Sequence, residues 1–144
     1  MATVERFEDL EIWQLARELS KKIFEETKKG KLSKDFEIKN QMNAATGSIM
    51  DNIAEGFGRK SRLEFVQFLS VSNGSGSELQ SQLYRCYDRE YMTKEIFDSL
   101  YELSDKTCRK ISTMIKYLNK NPTKGQKFKD RSNPKSDDSV NKGN

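Results

Sequence analysis

Residues 52–62, Asn-Ile-Ala-Glu-Gly-Phe-Gly-Arg-Lys-Ser-Arg, put an Asn, a Glu, two glycines and four basic or hydroxyl side chains into eleven positions of this 144-residue chain. Two kinds of chemistry suit them. In the first, the stretch is an anion site. A helix that opens at Ser61 turns its first N–H groups and the positive end of its dipole outward, and Arg59, Lys60 and Arg62 surround them. Phosphate is the natural ligand, although three cations alone bind it weakly and with strong salt dependence. In the second, the stretch is only a corner between helices. Gly56 or Gly58 then ends the helix before it, because glycine accepts the left-handed conformation readily. Ser61 caps the helix after it, and the charges are solvated.

Catalysis has little to work with. The chain has no histidine, which excludes Ser-His-Asp and Cys-His nucleophiles in their usual form. The Glu-x-x-His pairs of di-iron bundles are excluded too. Cys86 and Cys108 cannot complete a zinc site and read as free thiols, buried or half-buried. Carboxylates and lysines remain, with no paired constellation among them. No enzyme activity, cofactor or metal is expected.

The elements that position the corner are helical. A first helix is predicted from about Glu8 to Lys29, stopping at Gly30, with Ile12, Ala16, Leu19 and Ile23 as its core stripe. A second, capped by Ser33 or Asp35, runs to about Phe57 along Ile38, Met42, Ala45, Ile49, Ile53 and Gly56. A third opens at Ser61, with Glu64 at capping-box spacing. Its interior holds SNGSGS, residues 72–77, which reads at first as a loop. The apolar phase nevertheless continues unbroken through Phe65, Leu69, Ser72, Gly76, Leu79 and Leu83, so one helix passes through it. Glycines weaken a helix by about 1 kcal/mol each relative to alanine. A close antiparallel approach to the equally small AATGS, residues 44–48, is the expected reason. A fourth helix spans about Thr93 to Asn119 along Ile96, Leu100, Leu103, Thr107, Ile111, Met114 and Leu118.

Residues 120–144 hold two prolines and few apolar groups, too little to offset chain entropy, and are expected to stay unfolded. No strand pattern survives. The expected architecture is all-α, an up-down-up-down four-helix bundle over residues 1–119. Residues 1–119 hold 19 Lys/Arg and 19 Asp/Glu, so the net charge of +4 resides entirely in the tail. No apolar run is long enough to cross a bilayer. The N-terminal MATVERFEDLEIW carries acids and lacks the apolar core of a signal peptide. A cytoplasmic location and no membrane partner follow as expectations.

Two further features point to partners. Asn52 projects near the centre of the second helix's stripe, where an amide needs hydrogen-bond partners. Gln41, Ser48 and Glu55 repeat every seven residues along one flank, a polar ladder of ordinary surface or of a covered contact. Trp13, Phe24, Phe97, Tyr101 and Ile115 lie off the core stripes, an excess of large apolar groups that predicts a homo-oligomer.

FEDLEIWQLARELS, followed by IKNQMNAATGSIMDNIAEGFGRKSRLEFVQFLSVSNGSGSELQSQL, resembles the four helix bundle protein family, which includes proteins encoded in intervening sequences of bacterial 23S rRNA genes. The likeness covers about residues 6–119, and SI-x-x-NIAEG followed by S-x-x-EF carries it. The motif falls on Asn52, Ile53, Ala54, Glu55, Gly56, Ser61, Glu64, Phe65, Gly74, Ser75, Glu78 and Leu79. The resemblance implies a left-handed bundle, a ring-like homopentamer and no established enzymatic activity. The accessory protein of diversity-generating retroelements, a nucleic-acid-binding protein, is a distantly similar fold. Family members often carry basic residues where Asn43 and Ala44 stand here. Two functions are left in view: a nucleic-acid-binding oligomer that uses Arg59, Lys60 and Arg62, and a scaffold for another protein.

Overall fold

A computed structural model describes residues 4–120; from residue 121 the expected tail lies outside the described residues. Four α-helices make up nearly all of this span: α1 (Glu11–Thr27), α2 (Phe36–Gly58), α3 (Arg62–Asp88) and α4 (Lys94–Lys120). The expected all-α bundle is what forms, and no strand occurs among the described residues. Hydrogen bonds fix the pairing. Arg85 reaches Gln41 and Ser75 reaches Ser48, so α3 runs antiparallel to α2. Asn73 bonds Ser112 while Tyr84 packs on Tyr101, so α4 runs antiparallel to α3.

The predicted stripes are the core. Ile12, Leu19 and Ile23 of α1 meet Ile38, Met42, Ile49 and Ile53 of α2, Phe65, Leu69, Leu79 and Leu83 of α3, and Ile111 and Leu118 of α4. No described helix is long and apolar enough to cross a membrane.

The helix ends differ from expectation in instructive ways. The first helix starts at Glu11, because residues Phe7–Asp9 form a separate 3-10 turn and Leu10 is extended. That turn carries Phe7 onto Trp13, ring centroids 5.1 Å apart, so Trp13 is half-buried within the chain. Asp35, and not Ser33, caps α2, accepting the Ile38 N–H at 3.4 Å. Asp35 also accepts from Tyr91 Oη at 2.7 Å and Arg89 Nη1 at 3.1 Å, tying the start of α2 to the α3–α4 connection. Those bonds, the tyrosine's first, hold the Asp35 carboxyl below its ordinary value, and the same bond raises the Tyr91 phenol.

The helix α3 passes through SNGSGS as one piece. The reason for its glycines is only partly the expected one. Ser72 Oγ donates to the Ile49 carbonyl at 3.0 Å, which shows close packing against α2. A Cβ on Gly76, however, would collide with Cys108 Sγ of α4. The tightest constraint lies on α4, a neighbour that local pattern does not identify.

Candidate functional site

The corner is built by three residues that end one helix and start the next. Arg59 follows α2 in helical conformation, Lys60 takes the left-handed conformation at φ 58°, and Ser61 is extended. Neither glycine makes the turn, contrary to expectation. Gly56 is inside α2 because its missing side chain makes room for α3: a Cβ there would lie 2.6 Å from Phe68 Cβ and 3.0 Å from Phe65 Cδ1. A Cβ on Gly58 meets nothing within 4 Å. A left-handed lysine carries strain of order 1 kcal/mol. Its ammonium lies 5.0 Å from the Phe57 ring centroid.

Ser61 Oγ accepts the Glu64 N–H at 3.2 Å, the cap that the spacing predicted. Glu64 itself reaches toward Arg59 Nε at 3.8 Å. Glu55 takes Arg59 Nη2 at 3.0 Å. The Arg59 guanidinium therefore lies between two carboxylates and also over Phe68, 5.2 Å from that ring's centroid. Arg62 is 2% exposed and belongs to the interior of the bundle. Of the three cations expected around a phosphate, one is buried and one is neutralised in place. A sequence signal for Arg62 existed, since it stands three residues before Phe65 and so shares the core face of α3.

Asn52 is half-buried on the flank facing α3, away from the stripe's centre. Its Nδ2 donates to the Ser48 carbonyl at 2.8 Å and to Ser48 Oγ at 3.1 Å. Ser48 Oγ in turn meets Ser75 Oγ at 2.7 Å. The ladder of Gln41, Ser48 and Glu55 is thus occupied within the chain, by Arg85, Ser75 and Arg59 respectively. Glu78 lies exposed beside it, along a groove of about 540 Å³ between α2 and α3 that Ala44, Ser48, Ser81 and Gln82 also line.

A second surface emerges from packing alone. On the outer side of α3 and α4, Tyr84, Tyr87, Phe97 and Tyr101 form one cluster, with ring centroids 5.0–5.6 Å apart. Tyr84 is 51% exposed and Tyr87 39%. The sequence reading found Phe97 and Tyr101 but missed Tyr84 and Tyr87, whose three-residue spacing places them on one flank of α3. Asp88, Asp98, Glu102 and Asp105 stand around this cluster; Lys94 and Arg109 pair with three of them. Phe24 is also exposed, at 52%, with Lys28 over its ring.

Neither thiol is poised to react. Burial pushes the Cys86 thiol up to about 11 and raises that of Cys108 as well. Among the described residues no group of three acids or cysteines could hold a metal ion.

Residues 8–113 match the family model described as 23S rRNA-intervening sequence protein. A similar solved structure is the crystal structure of a protein of unknown function from the S23 ribosomal protein family of Bacteroides thetaiotaomicron. It has a TM-score of 0.68 and 23% identity, and the match covers 73% of this chain and 95% of that one. At that identity the likeness concerns the fold. No curated protein matches.

Proposed function

Since this chain belongs to the 23S rRNA-intervening sequence protein family, we propose that it is a non-enzymatic binding protein that works as an assembly of several identical chains. The aromatic cluster on α3 and α4 carries this reading. Four rings packed on one another, two of them substantially exposed, are a contiguous apolar surface of the kind that marks a protein contact. Tyrosine suits such a contact because it is enriched in interface cores, combining a large apolar body with a polar tip. The acidic groups around the cluster disfavour a polyphosphate there. Five copies is the number implied by the family resemblance.

The test is the mass of a Tyr84→Ser/Tyr87→Ser variant by light scattering at micromolar concentration. Both side chains are exposed, so the bundle should stay folded. The expected result is a drop from a multiple of 16.7 kDa toward 16.7 kDa itself. An unchanged assembled mass would place the contact elsewhere.

A nucleic-acid-binding role is the second reading. The corner supports it less than its sequence suggests, since Arg62 is buried and Arg59 lies between Glu55 and Glu64. What favours it is an exposed row on the outer side of α4. Lys106, Lys116 and Lys120 have no ion pair among the described residues, and the net positive tail follows directly. RNA affinity measured at two salt concentrations, with and without residues 121–144, tests it. Counterion release requires a log-log slope near −0.7 for each single-strand phosphate contacted.

A further inference from the structure

The aromatic face is bordered along α4 by a stripe of acids. Asp98, Glu102 and Asp105 stand four and three residues apart, which sets them on one side of the helix. Their side chains are 55%, 74% and 44% exposed. Phe97 and Tyr101 lie on the adjoining side, one residue before Asp98 and Glu102. Lys94 and Arg109 are the two cations that pair with this stripe, so its three carboxylates keep one negative charge in excess. Asp88, next to Tyr87 on α3, has no ion pair among the described residues and adds another. Exposed ion pairs contribute little, so the two present do not close the stripe to further cations. A ligand suited to this surface carries several positive charges and an apolar group.

We propose that residues 127–135 of the same chain, Lys-Phe-Lys-Asp-Arg-Ser-Asn-Pro-Lys, run back along α4 on this stripe and compete with a second copy for the aromatic face. The segment lies outside the described residues, and its sequence carries the argument. In extended chain, successive side chains point to opposite sides. Lys127, Lys129, Arg131 and Lys135 then share one side, and Phe128 takes the other. A strand laid between the acids and the rings offers cations to the carboxylates and Phe128 to the rings at once. The lengths agree. At about 1.5 Å per residue, Asp105 and Asp98 stand about 22 and 33 Å back from the end of α4 at Lys120. At about 3.3 Å per residue, Lys127 and Arg131 reach about 23 and 36 Å beyond it. A reversal through Pro122 and Gly125 shortens that reach. A shift of two residues keeps the cations on the same side, and Lys135 extends the reach further. Residues 121–126, which pass Arg109 and Lys116, carry Lys124 as their one cation. No folded tail is needed, because a short tether holds the segment at an effective concentration on the order of millimolar.

The competition rests on the self-assembly reading above; the docking does not, and the test separates them. The probe is a fluorescein-labelled peptide of residues 121–136, followed by anisotropy on full-chain variants at low salt. Lys127→Gln/Lys129→Gln/Arg131→Gln frees the stripe of its own tail and should bind the peptide about three- to tenfold more tightly than the wild type. Lys106→Gln/Lys116→Gln/Lys120→Gln loses the same charge elsewhere and should bind it like the wild type. Adding Glu102→Lys/Asp105→Lys to the tail variant should abolish binding, and adding Asp98→Lys alone, a milder change, should weaken it several-fold. Melting followed by circular dichroism checks that each is folded. Equal affinity for the wild type and the tail variant, or equal tightening in the control, would overturn docking of the tail on its own chain. Binding that survives both stripe changes would overturn the stripe as the surface. In native mass spectra across a dilution series, the tail variant should stay assembled to a several-fold lower concentration than the wild type. An unchanged midpoint, with the peptide results as expected, would overturn the competition and leave the docking standing. A wild type that is a single chain throughout would remove the competition together with the self-assembly reading, and the peptide measurement would still decide the docking.

Discussion

Gly56 sets the distance between α2 and α3, and replacing it with alanine measures how tightly. A methyl group at that position would lie 2.6 Å from Phe68 Cβ and 3.0 Å from Phe65 Cδ1. Carbon atoms rest about 3.5–4.0 Å apart, so roughly 1 Å of relief is needed. The Phe65 ring can tilt, but Phe68 Cβ is attached directly to the backbone, so the helices themselves must separate. Overpacking of this kind costs about 1–3 kcal/mol, and the backbone clash argues for the upper part of that range. Alanine also gains about 1 kcal/mol of helix preference over glycine. The net expectation is a loss of about 2 kcal/mol. Gly58→Ala is the control: it makes the same exchange two residues on, with nothing within 4 Å. It should be neutral or stabilising by up to about 1 kcal/mol. Urea unfolding at one fixed protein concentration reads both, since assembly would otherwise shift the midpoints. Gly56→Ala as stable as the wild type, or more so, would refute the argument that this glycine exists for close packing.

Ser61→Ala removes the acceptor that holds the Glu64 N–H and should lower stability by about 1 kcal/mol in the same unfolding assay. Cys86 should react with a thiol reagent at pH 8 only as fast as the protein opens, because its thiol is buried and titrates near 11; denaturant should release it at once. Tyr91→Phe removes the leading cause of the lowered Asp35 value. A depressed carboxyl stabilises the fold above its unfolded value and loses that contribution as pH falls through the folded one. The wild type should therefore exceed Tyr91→Phe in stability at neutral pH, and the gap should close below about pH 4. A gap that widened on acidification would contradict the assignment.

The helices were legible because their apolar phase is continuous. Ser72 and Gly76 hold the core face of α3 between Leu69 and Leu79, which identifies SNGSGS as helix despite its composition. The ends were less legible. Nothing local says that Lys60 will take the left-handed position when Gly56 and Gly58 stand nearby, because Phe65 and Phe68 decide Gly56's role from another helix. The candidate site divides in the same way. Ser61 and Glu64 are three residues apart and follow local rules, so their cap was predictable. Arg59's two carboxylates come from α2 and α3, and Arg62's burial depends on the assembled bundle. The aromatic surface needs α3 and α4 side by side before Tyr84 can meet Phe97 and Tyr101.

Self-assembly of identical chains is tested most directly by the mass of the wild-type protein in solution. Native mass spectrometry across a dilution series should give a whole-number multiple of 16.7 kDa at micromolar concentration, falling to one chain only on strong dilution. A mass of 16.7 kDa throughout the series would contradict it.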